Sequence, residues 1–215
     1  MTAAIPLYFT SPIKILDAAF AAGVSAPLAT LEKPLIHSVN RGARVTRGAG
    51  IGVTIIKNSM TRSIVVQATS AARAWQIANE LEKEHELMQI EVQKSSSIAK
   101  LEDVFVEMVG NLLYLRFAFW TGDAAGHNMA TKASEALVDW LLDKYQDLKY
   151  VSLSANLCVD KKVSVVNAIL GRGKHLIAET LIDEDTCIKL LRATPEAIVN
   201  LNTKKNLLGS ILAGS

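Results

Sequence analysis

Two adjacent lysines close the stretch "VSLSANLCVDKK", which begins as a short apolar strand. A hydroxyl, an amide and a carboxylate come just before them, on Ser154, Asn156 and Asp160, and the ammonium groups of Lys161 and Lys162 follow. Lysines are costly to bury, so a pair beside apolar sequence requires either solvent or a bound anion. The stretch is therefore a candidate anion site, and taken alone it is equally typical of a solvated surface turn, which is the commoner case.

A second candidate is the turn "GDAAGHNM", where a strand is predicted to end and a helix to begin. Gly122 and Gly126 would let the backbone approach a ligand, and the positive end of the helix dipole favours a phosphate. The turn lacks the G-x-G-x-x-G order of a Rossmann dinucleotide site, and an Asp-capped helix start is the alternative. His127 is the one histidine that lies beside such a turn, and a surface position is its commoner role.

Three other charged residues have two interpretations each. Glu32 is flanked by apolar residues in "LATLEKPL", where desolvation would raise its pKa and suit it to transfer a proton, although such side chains more often point to water. Arg62 and Lys205 could each hold an anion or lie on the surface. The histidines show no metal-ligand spacing and no G-x-S-x-G motif is present, so no metal is expected.

The composition limits the classes of protein. With 215 residues and 50% apolar side chains, the chain can bury a substantial core. Its 23 basic and 21 acidic residues create no strong cationic field, so neither nucleic acid nor an anionic membrane is an expected partner. Two cysteines, the lack of a signal peptide and apolar runs too short to span a bilayer predict a cytoplasmic protein without a membrane segment.

The element order predicts a small domain in the middle of the chain. Prolines and glycines break up residues 1–62, which favours strands and loops with little helix. Next come the strand "SIVVQA", a helix over 71–86 with Ala74, Trp75, Ala78 and Leu81 on its apolar face, and the strand-like "LMQIEVQ". A hairpin of "VFVEMV" and "LLYLRFAFW", a helix to about Tyr145 and the strand "LKYVSLS" complete the order.

Apart from the strand-like "LMQIEVQ", this order is β-α-β-β-α-β, which is that of a ferredoxin-like unit. A helix near 162–170, the turn "GRGK", a strand "HLIAETLI", a helix opened by the acidic residues 183–185 and a helix started by Pro195 are predicted to follow. We therefore expect an α+β protein in which a ferredoxin-like small domain, residues 63–154, is inserted in a partial α/β large domain formed by residues 1–62 and 155–215.

Several long motifs resemble a known family. The stretches "PLATLEKPLIHSVNRGARV", "MTRSIVV", "GDAAGHNMATKASEAL", "SANLCVDKKVSVVNAILGRGKHLIAE" and "KKNLLGSILAGS" occur in the order and approximate spacing found in hydroxymethylglutaryl-CoA reductase. The resemblance covers about residues 5–215, and the "DKK" form is similar to the NADPH-using class that includes the eukaryotic enzymes. It implies reduction of 3-hydroxy-3-methylglutaryl-CoA to mevalonate and CoA, in the mevalonate pathway of isoprenoid biosynthesis.

The resemblance also implies roles for individual residues. Glu32 matches the catalytic glutamate that passes a proton, and Lys161 matches the lysine that stabilises the oxyanion as hydride arrives. Positions that hold the hydroxymethylglutaryl group or order its site are matched by Arg62, Ser154, Asn156, Asp160, Lys162 and Lys205. The segment that approaches coenzyme A includes Ser38, Asn40, Arg41 and Arg44. The turn that receives the dinucleotide includes Asp123, Gly126, His127, Asn128 and Met129, in a small domain of ferredoxin-like order.

The implied cofactor is NADPH, with NADH as the alternative. Ser97 stands where eukaryotic relatives carry an arginine near the adenosine phosphate, and Lys100 is the candidate substitute for that arginine. His127 and Ala125 replace methionines that are common in the family's turn. A homodimer or higher assembly with the active site between subunits is implied, with hydroxymethylglutaryl-CoA as the substrate.

Other family features are absent from the sequence. The dimerisation segment is largely missing, and the chain stops before the "GQD" aspartate and the late catalytic histidine, so it resembles a family member truncated at both ends. We expect the 215-residue chain to be inactive or nearly so. The alternative is a degenerate, non-catalytic paralogue that binds a nucleotide or CoA, or that pairs with a full-length subunit.

Overall fold

A computed structural model of the chain describes residues 4–20 and 22–214. The chain forms two compact units: the first unit comprises the described parts of Met1–Thr54 and Leu176–Ser215, and the second unit is Ile55–His175. In chain order the elements are β1 (Leu7–Phe9), β2 (Pro27–Ala29), α1 (Lys33–Thr46), β3 (Gly52–Gln67), α2 (Ala71–Leu81), α3 (His85–Ser95), β4 (Lys100–Val109), β5 (Leu112–Trp120), α4 (His127–Lys144), β6 (Lys149–Ser152), α5 (Val165–Leu170), β7 (Gly173–Glu179), α6 (Glu184–Thr186), α7 (Pro195–Leu201) and α8 (Gly209–Ala213).

The main sheet has the strand order β4-β5-β3-β6, and β7 also pairs with β3. The pairs β4 with β5, β5 with β3 and β3 with β6 are all antiparallel, and the β3–β5 register runs from Met60 opposite Phe119 to Gln67 opposite Leu112. The predicted hairpin is confirmed, because β4 and β5 are joined through Gly110 and Asn111. The sheet thus combines strands that are far apart in sequence.

One face of this sheet carries the core of the second unit. From the sheet, Ile64, Val66, Leu115 and Phe117 are fully buried, and helices α2, α3 and α4 pack against them. The helices contribute the buried side chains of Ala74, Ile77, Leu81, Met88, Val92, Ala133, Leu137 and Leu141. Ser70 caps α2, since its side chain accepts a hydrogen bond from the backbone N–H of Arg73.

Three predictions about local structure are wrong. The first 62 residues are not nearly free of helix, because α1 spans 14 residues from Lys33 with Pro34 in its first turn, where proline is well tolerated. "LMQIEVQ" lies in helix α3, where Met88 and Val92 are buried one helical turn apart. Trp75 is 63% exposed, and Ile77 takes the buried position on α2.

The first unit is built from short elements. Strands β1 and β2 pair antiparallel, and α1 buries Ile36, Ala43 and Val45. The predicted helix start at residues 183–185 is confirmed by Asp183, whose side chain caps α6, and the helix predicted at Pro195 is α7. π-helical turns over Cys187–Leu191 and Asn202–Leu208 continue α6 and α7. The final serine of "GSILAGS" lies outside the described residues. Among the helices the structure describes, none has the length and apolar character needed to cross a bilayer.

Candidate active site

The two lysines singled out in the sequence lie in a loop of the second unit, residues 153–164, here called the lysine loop. Strand β6 ends at Ser152, and the side chains of Asp160, Lys161 and Lys162 are exposed in the loop that follows. Ser154, at the start of the loop, donates its backbone N–H to Ser152 Oγ over 3.0 Å. The loop therefore presents two ammonium groups and a carboxylate to solvent at the end of a strand.

Two basic side chains approach the carboxylate of Asp160. Arg172 Nη2 lies 2.8 Å from Asp160 Oδ1, and His127 Nε2 lies 3.6 Å from the same oxygen. The Arg172 side chain is only 11% exposed, so its guanidinium is largely shielded from solvent, whereas about 40% of each of the other two side chains is exposed. Of the two contacts, the one with Arg172 is the shorter and the better protected from screening.

His127 is the first residue of α4 and follows the turn of residues 121–126, here called the glycine turn. Gly126 has a φ of +80°, and a Cβ at this position would lie 2.3 Å from Thr121 Oγ1. Thr121 is buried and its hydroxyl donates to the carbonyl of Ala124 over 3.0 Å. Glycine is thus required at residue 126 both by the backbone conformation and by the close approach of Thr121.

The start of α4 is open to a ligand. Within the described chain no side chain caps the N-terminus of this 18-residue helix, so its first N–H groups and the positive end of its dipole remain available for an anion. Asp123 and Asn128 are exposed on either side, and Met129 is half-buried against the core. The arrangement has the geometry of a phosphate-binding helix start.

A second loop lies next to the glycine turn. A Cβ built on Gly122 would be 3.5 Å from Ile98 Cγ2, so the segment that contains Ser97 runs beside the turn. Lys100, two residues after Ile98, places its ammonium 5.1 Å from the centre of the Trp120 ring. This cation–π contact holds a positive charge at the base of the turn.

A cavity of about 250 Å³ opens on the other side of the glycine turn. Its lining includes Met60, Thr121, Ala125 and Lys174, and the ammonium of Lys174 donates to Asn58 Oδ1 over 2.9 Å. The cavity is thus apolar with one cation at its edge, a combination suited to part of a charged organic ligand.

The remaining predicted residues belong to the first unit. Glu32 is exposed at the N-cap of α1, where its backbone N–H is held by Thr30 Oγ1 at 2.9 Å. Of the two interpretations given for Glu32 from the sequence, the structure therefore shows the one in which the side chain is exposed to solvent. Lys205 is exposed on the π-helical turn after α7.

One face of α1 is lined with cations. Ser38, Arg41 and Arg44 line an open cavity of about 380 Å³ together with Pro34. Their spacing of three residues places them on the same face of the helix. Asn40 lies elsewhere on the helix, and its Oδ1 accepts the backbone N–H of Ser11 over 2.7 Å. Asn40 therefore ties α1 to the N-terminal segment.

The predicted residues thus fall into two groups. The second unit contains Arg62, Ser154, Asn156, Asp160, Lys161 and Lys162 together with Asp123, Gly126, His127, Asn128 and Met129, and the first contains Glu32, Ser38, Asn40, Arg41, Arg44 and Lys205. Within the second unit the glycine turn and the lysine loop meet at His127 and Asp160, and Arg62 Nε donates to the carbonyl of Leu153 at the start of the loop.

Sequence reasoning did not single out four residues that hold the lysine loop: Ser63, Arg116, Asn167 and Arg172. Arg116 is 3% exposed although it lies in an apolar strand, and Ser63 is fully buried opposite it. The one signal in the sequence was a lone cation in the alternating pattern of "LLYLRFAFW". A charged residue in a buried strand needs partners, and those partners are about 50 or more residues away in the chain.

Comparisons with known proteins identify close relatives. The family model described as hydroxymethylglutaryl-coenzyme A reductase matches residues 2–215. The 3-hydroxy-3-methylglutaryl-coenzyme A reductase of Pyrococcus abyssi is 43% identical over 98% of this chain and 52% of its own length. A Dictyostelium discoideum protein with the same name, numbered 2, is 37% identical over 98% of this chain and 40% of its own length. The chain therefore spans about half the length of such relatives.

A solved structure has a similar fold. It is the class II 3-hydroxy-3-methylglutaryl-CoA reductase from Streptococcus pneumoniae bound to NADPH in open conformations, with a TM-score of 0.58 and 16% sequence identity. The match covers 74% of this chain and 44% of that protein. At this level of identity the likeness is one of fold.

Proposed function

This chain belongs to the hydroxymethylglutaryl-coenzyme A reductase family, and we propose that it serves the NADPH-dependent reduction of 3-hydroxy-3-methylglutaryl-CoA to mevalonate and CoA. The observation that carries the proposal is the 3.6 Å approach of His127 to Asp160. It joins the glycine turn, suited to phosphate, to the loop that bears Lys161. A reductase needs such an arrangement, since a cofactor and a carbonyl group must lie side by side.

The residues of the glycine turn fit a dinucleotide. The left-handed conformation of Gly126, the absence of a side-chain cap on α4 among the described residues and the nearby cation of Lys100 each favour a bound phosphate. We assign the contacts to Asp123, Gly126, His127, Asn128 and Met129. NADPH, when bound, supplies the hydride for the reduction.

Lys161 is proposed to stabilise negative charge on the substrate. Its exposed ammonium would donate to the carbonyl oxygen as that oxygen becomes an oxyanion, which lowers the energy of the transition state more than that of the ground state. Lys162 and Arg62 supply the cations for the free carboxylate of the hydroxymethylglutaryl group, and Lys205 has the same assignment. Ser154, Asn156 and Asp160 complete or order this site.

Glu32 is proposed as the proton donor to the oxyanion or to the departing thiolate. The cations Arg41 and Arg44, with Ser38, form the face of α1 suited to the phosphates of coenzyme A. Asn40 supports that face, since its link to Ser11 fixes the helix. These groups belong to the first unit, which we assign to coenzyme A and to proton transfer.

The finer architecture is also part of the proposal. The observed strand order β4-β5-β3-β6 supports a ferredoxin-like small domain, for which we keep the predicted residues 63–154, inserted in a large domain formed by residues 1–62 and 155–215. We further propose a cytoplasmic homodimer, or higher assembly, with the active site between subunits. Large exposed apolar side chains near the C-terminus, such as Leu207, Ile211 and Leu212, support a protein partner.

A binding titration tests the cofactor assignment. NADPH added to the purified chain should bind saturably, with a change in its fluorescence. Gly126→Ala, which changes the turn, should weaken binding at least about tenfold, since it moves the helix start that holds the phosphate. Lys161→Met should leave NADPH affinity unchanged, because Lys161 is assigned to the substrate.

Reduction is followed as loss of NADPH absorbance on addition of hydroxymethylglutaryl-CoA. Where turnover is measured, Lys161→Met should lower kcat by about 100-fold to 1000-fold, the usual cost of removing an oxyanion donor. Lys83→Met, which removes an exposed cation between α2 and α3, is the matched control and should have no effect. Failure of the unaltered chain to bind NADPH would overturn the proposal, as would equal, measurable rates for Lys161→Met and Lys83→Met.

A further inference from the structure

The lysine loop has an unfavourable backbone. Asn156, Val159 and Lys161 all have positive φ values, of 61°, 44° and 58°. A positive φ is unfavourable for residues other than glycine, and a β-branched valine is among the least tolerant. Other contacts in the molecule must therefore hold the loop in this conformation.

Asn167 makes contacts at or next to two of the strained residues, Val159 and Lys161. Its side-chain Nδ2 donates to the carbonyl of Val159 over 3.0 Å and to the carbonyl of Lys162 over 3.3 Å. One amide group thus closes the loop on both sides of Asp160 and Lys161. Ser164 in turn caps α5 by accepting the backbone N–H of Asn167 over 3.1 Å, which fixes the start of the helix that carries this side chain.

Arg116 determines which way the Asn167 amide points. Its Nη2 donates to Asn167 Oδ1 over 3.2 Å and to the carbonyl of Gly171 over 2.8 Å. A guanidinium can only donate, so the amide oxygen must face Arg116 and the amide nitrogen must face the loop carbonyls. Burial lowers the pKa of Arg116 from its ordinary value, which reflects the cost of placing this charge inside the protein.

The neighbouring strand supplies a second anchor. Ser63 of β3 lies opposite Arg116 of β5 in the register of the sheet. The Ser63 hydroxyl accepts the backbone N–H of Cys158 over 2.8 Å, and its carbonyl accepts that of Ala155 over 2.9 Å. The sheet therefore holds the loop at several backbone positions, while the side chain of Lys161 stays exposed.

We propose that Asn167, oriented by Arg116, is a positioning residue that fixes the backbone of residues 159–162 and thereby the direction of the Lys161 ammonium. A single pair of hydrogen bonds to the loop carbonyls offsets the strain at Val159 and Lys161. The catalytic consequence rests on the proposed function, whereas the backbone geometry is tested without it.

Asn167→Asp is the sharpest variant. The aspartate side chain has the same shape as asparagine and keeps the oxygen that accepts a hydrogen bond from Arg116. Its second oxygen replaces the donating Nδ2 group, so an acceptor faces the two loop carbonyls. Hydrogen exchange measured by mass spectrometry should be about 10-fold to 100-fold faster in peptides over residues 155–162 and unchanged in β4 and β5. Asn79→Ala is the matched control, because Asn79 Nδ2 also donates to a carbonyl, that of Trp75 in α2.

Arg116→Lys and Asn167→Ala provide independent variants. Lysine keeps a cation with fewer fixed donors, so it should accelerate loop exchange to a smaller extent than Asn167→Asp while the chain remains folded. A folded Asn167→Asp or Asn167→Ala variant whose loop exchanges at the unaltered rate would overturn the proposal, as would an equal increase in every peptide of the second unit.

A kinetic measurement separates positioning from general structure. Asn167→Asp should lower kcat for reduction by about tenfold or more and change the Kd for NADPH much less, because the hydrogen bonds described for the Asn167 side chain go to Arg116 and the lysine loop rather than to the glycine turn. A parallel loss of NADPH affinity would count against the positioning role. Failure of the unaltered chain to bind NADPH would count against the proposed function alone, and the exchange result would then decide on Asn167.

Discussion

His127 Nε2 and Arg172 Nη2 approach the same oxygen of Asp160, at 3.6 Å and 2.8 Å. Helix α4, which starts at the glycine turn, is thereby linked to the residue that precedes Lys161. The arginine is the closer of the two and lies largely out of solvent, so it provides the stronger contact. The histidine provides the physical connection between the two halves of the candidate site.

The ion pair of Arg172 and Asp160 should contribute measurably to stability. Arg172→Met keeps the length of the apolar stem and removes the charge, and we expect a loss of about 1–2 kcal/mol in urea denaturation of the second unit. Lys189→Met is the control, because its pair with Asp185 on the first unit is exposed on both sides and should contribute at most about 0.5 kcal/mol. Equal losses of stability from the two substitutions would show that the burial of Arg172 does not strengthen its ion pair with Asp160.

The glycine turn should tolerate no side chain at residue 126. Gly126→Ala combines a φ of +80° with a Cβ placed 2.3 Å from Thr121 Oγ1, and we expect a loss of about 2–4 kcal/mol in the free energy of unfolding. Gly110→Ala has a φ of +60° but no atom within 4 Å of the new Cβ, so it should cost only about 1 kcal/mol. Thermal or chemical denaturation would compare the two variants. Similar losses in the free energy of unfolding would show that the close approach of Thr121 to residue 126 adds no cost.

Asp147 should make the second unit sensitive to acid. The guanidinium of Arg73, whose Nε lies 2.7 Å from Asp147 Oδ2, holds the pKa of this carboxyl below its ordinary value. Because the pKa is lower in the folded state, the ionised carboxyl stabilises the folded state at pH values above the pKa of the unfolded state. This stabilisation is lost as the pH falls through the pKa of the folded state. Arg73→Met should therefore be less stable than the unaltered chain at neutral pH and equally stable in strong acid.

Denaturation by urea over a range of pH would measure this difference. Lys94→Met, which breaks an exposed pair with Glu91 on α3, is the control and should give a much smaller pH-dependent difference. A constant difference between Arg73→Met and the unaltered chain at all pH values would show that Arg73 acts through packing rather than through the charge of Asp147.

Lys100 should influence the choice between NADPH and NADH. Its ammonium lies over Trp120, in the segment beside the glycine turn, where a cation would contact the extra phosphate of NADPH. Lys100→Met should weaken NADPH binding about fivefold to tenfold and leave NADH binding unchanged. Parallel titrations with the two dinucleotides test this, and an equal loss for both would assign Lys100 to the stability of the turn.

Local patterns predicted much of the sheet but failed where helix and strand signals overlap. The alternation in "LLYLRFAFW" gave the hairpin, because period-two burial is specific to strands. "LMQIEVQ" is short and includes the β-branched residues Ile90 and Val92, and its helical conformation depends on Met88 and Val92 packing against α4 and the sheet. In α1, Pro34 indicated a break in the sequence, whereas the structure uses it as a helix start.

The residues proposed to contact substrate or cofactor were easier to predict from the sequence than the residues that position them. Lys161 and His127 belong to contiguous motifs, so a resemblance to known proteins located them at once. Arg116 and Asn167 are 51 residues apart and meet only because β5 lies beneath the loop. No local pattern encodes such a pair, since the contact exists only after the sheet has formed.

The two faces of the sheet carry different sets of side chains, and the two sets differ in how freely they can be substituted. Ile64 and Leu115 face the helices, while their sequence neighbours Ser63 and Arg116 face the lysine loop. A protein engineer could redesign the helix-facing side to raise thermal tolerance and leave the loop anchors intact. A one-residue shift of β5, in contrast, would exchange both sets at once, so random insertions in this strand should be among the least tolerated in the chain.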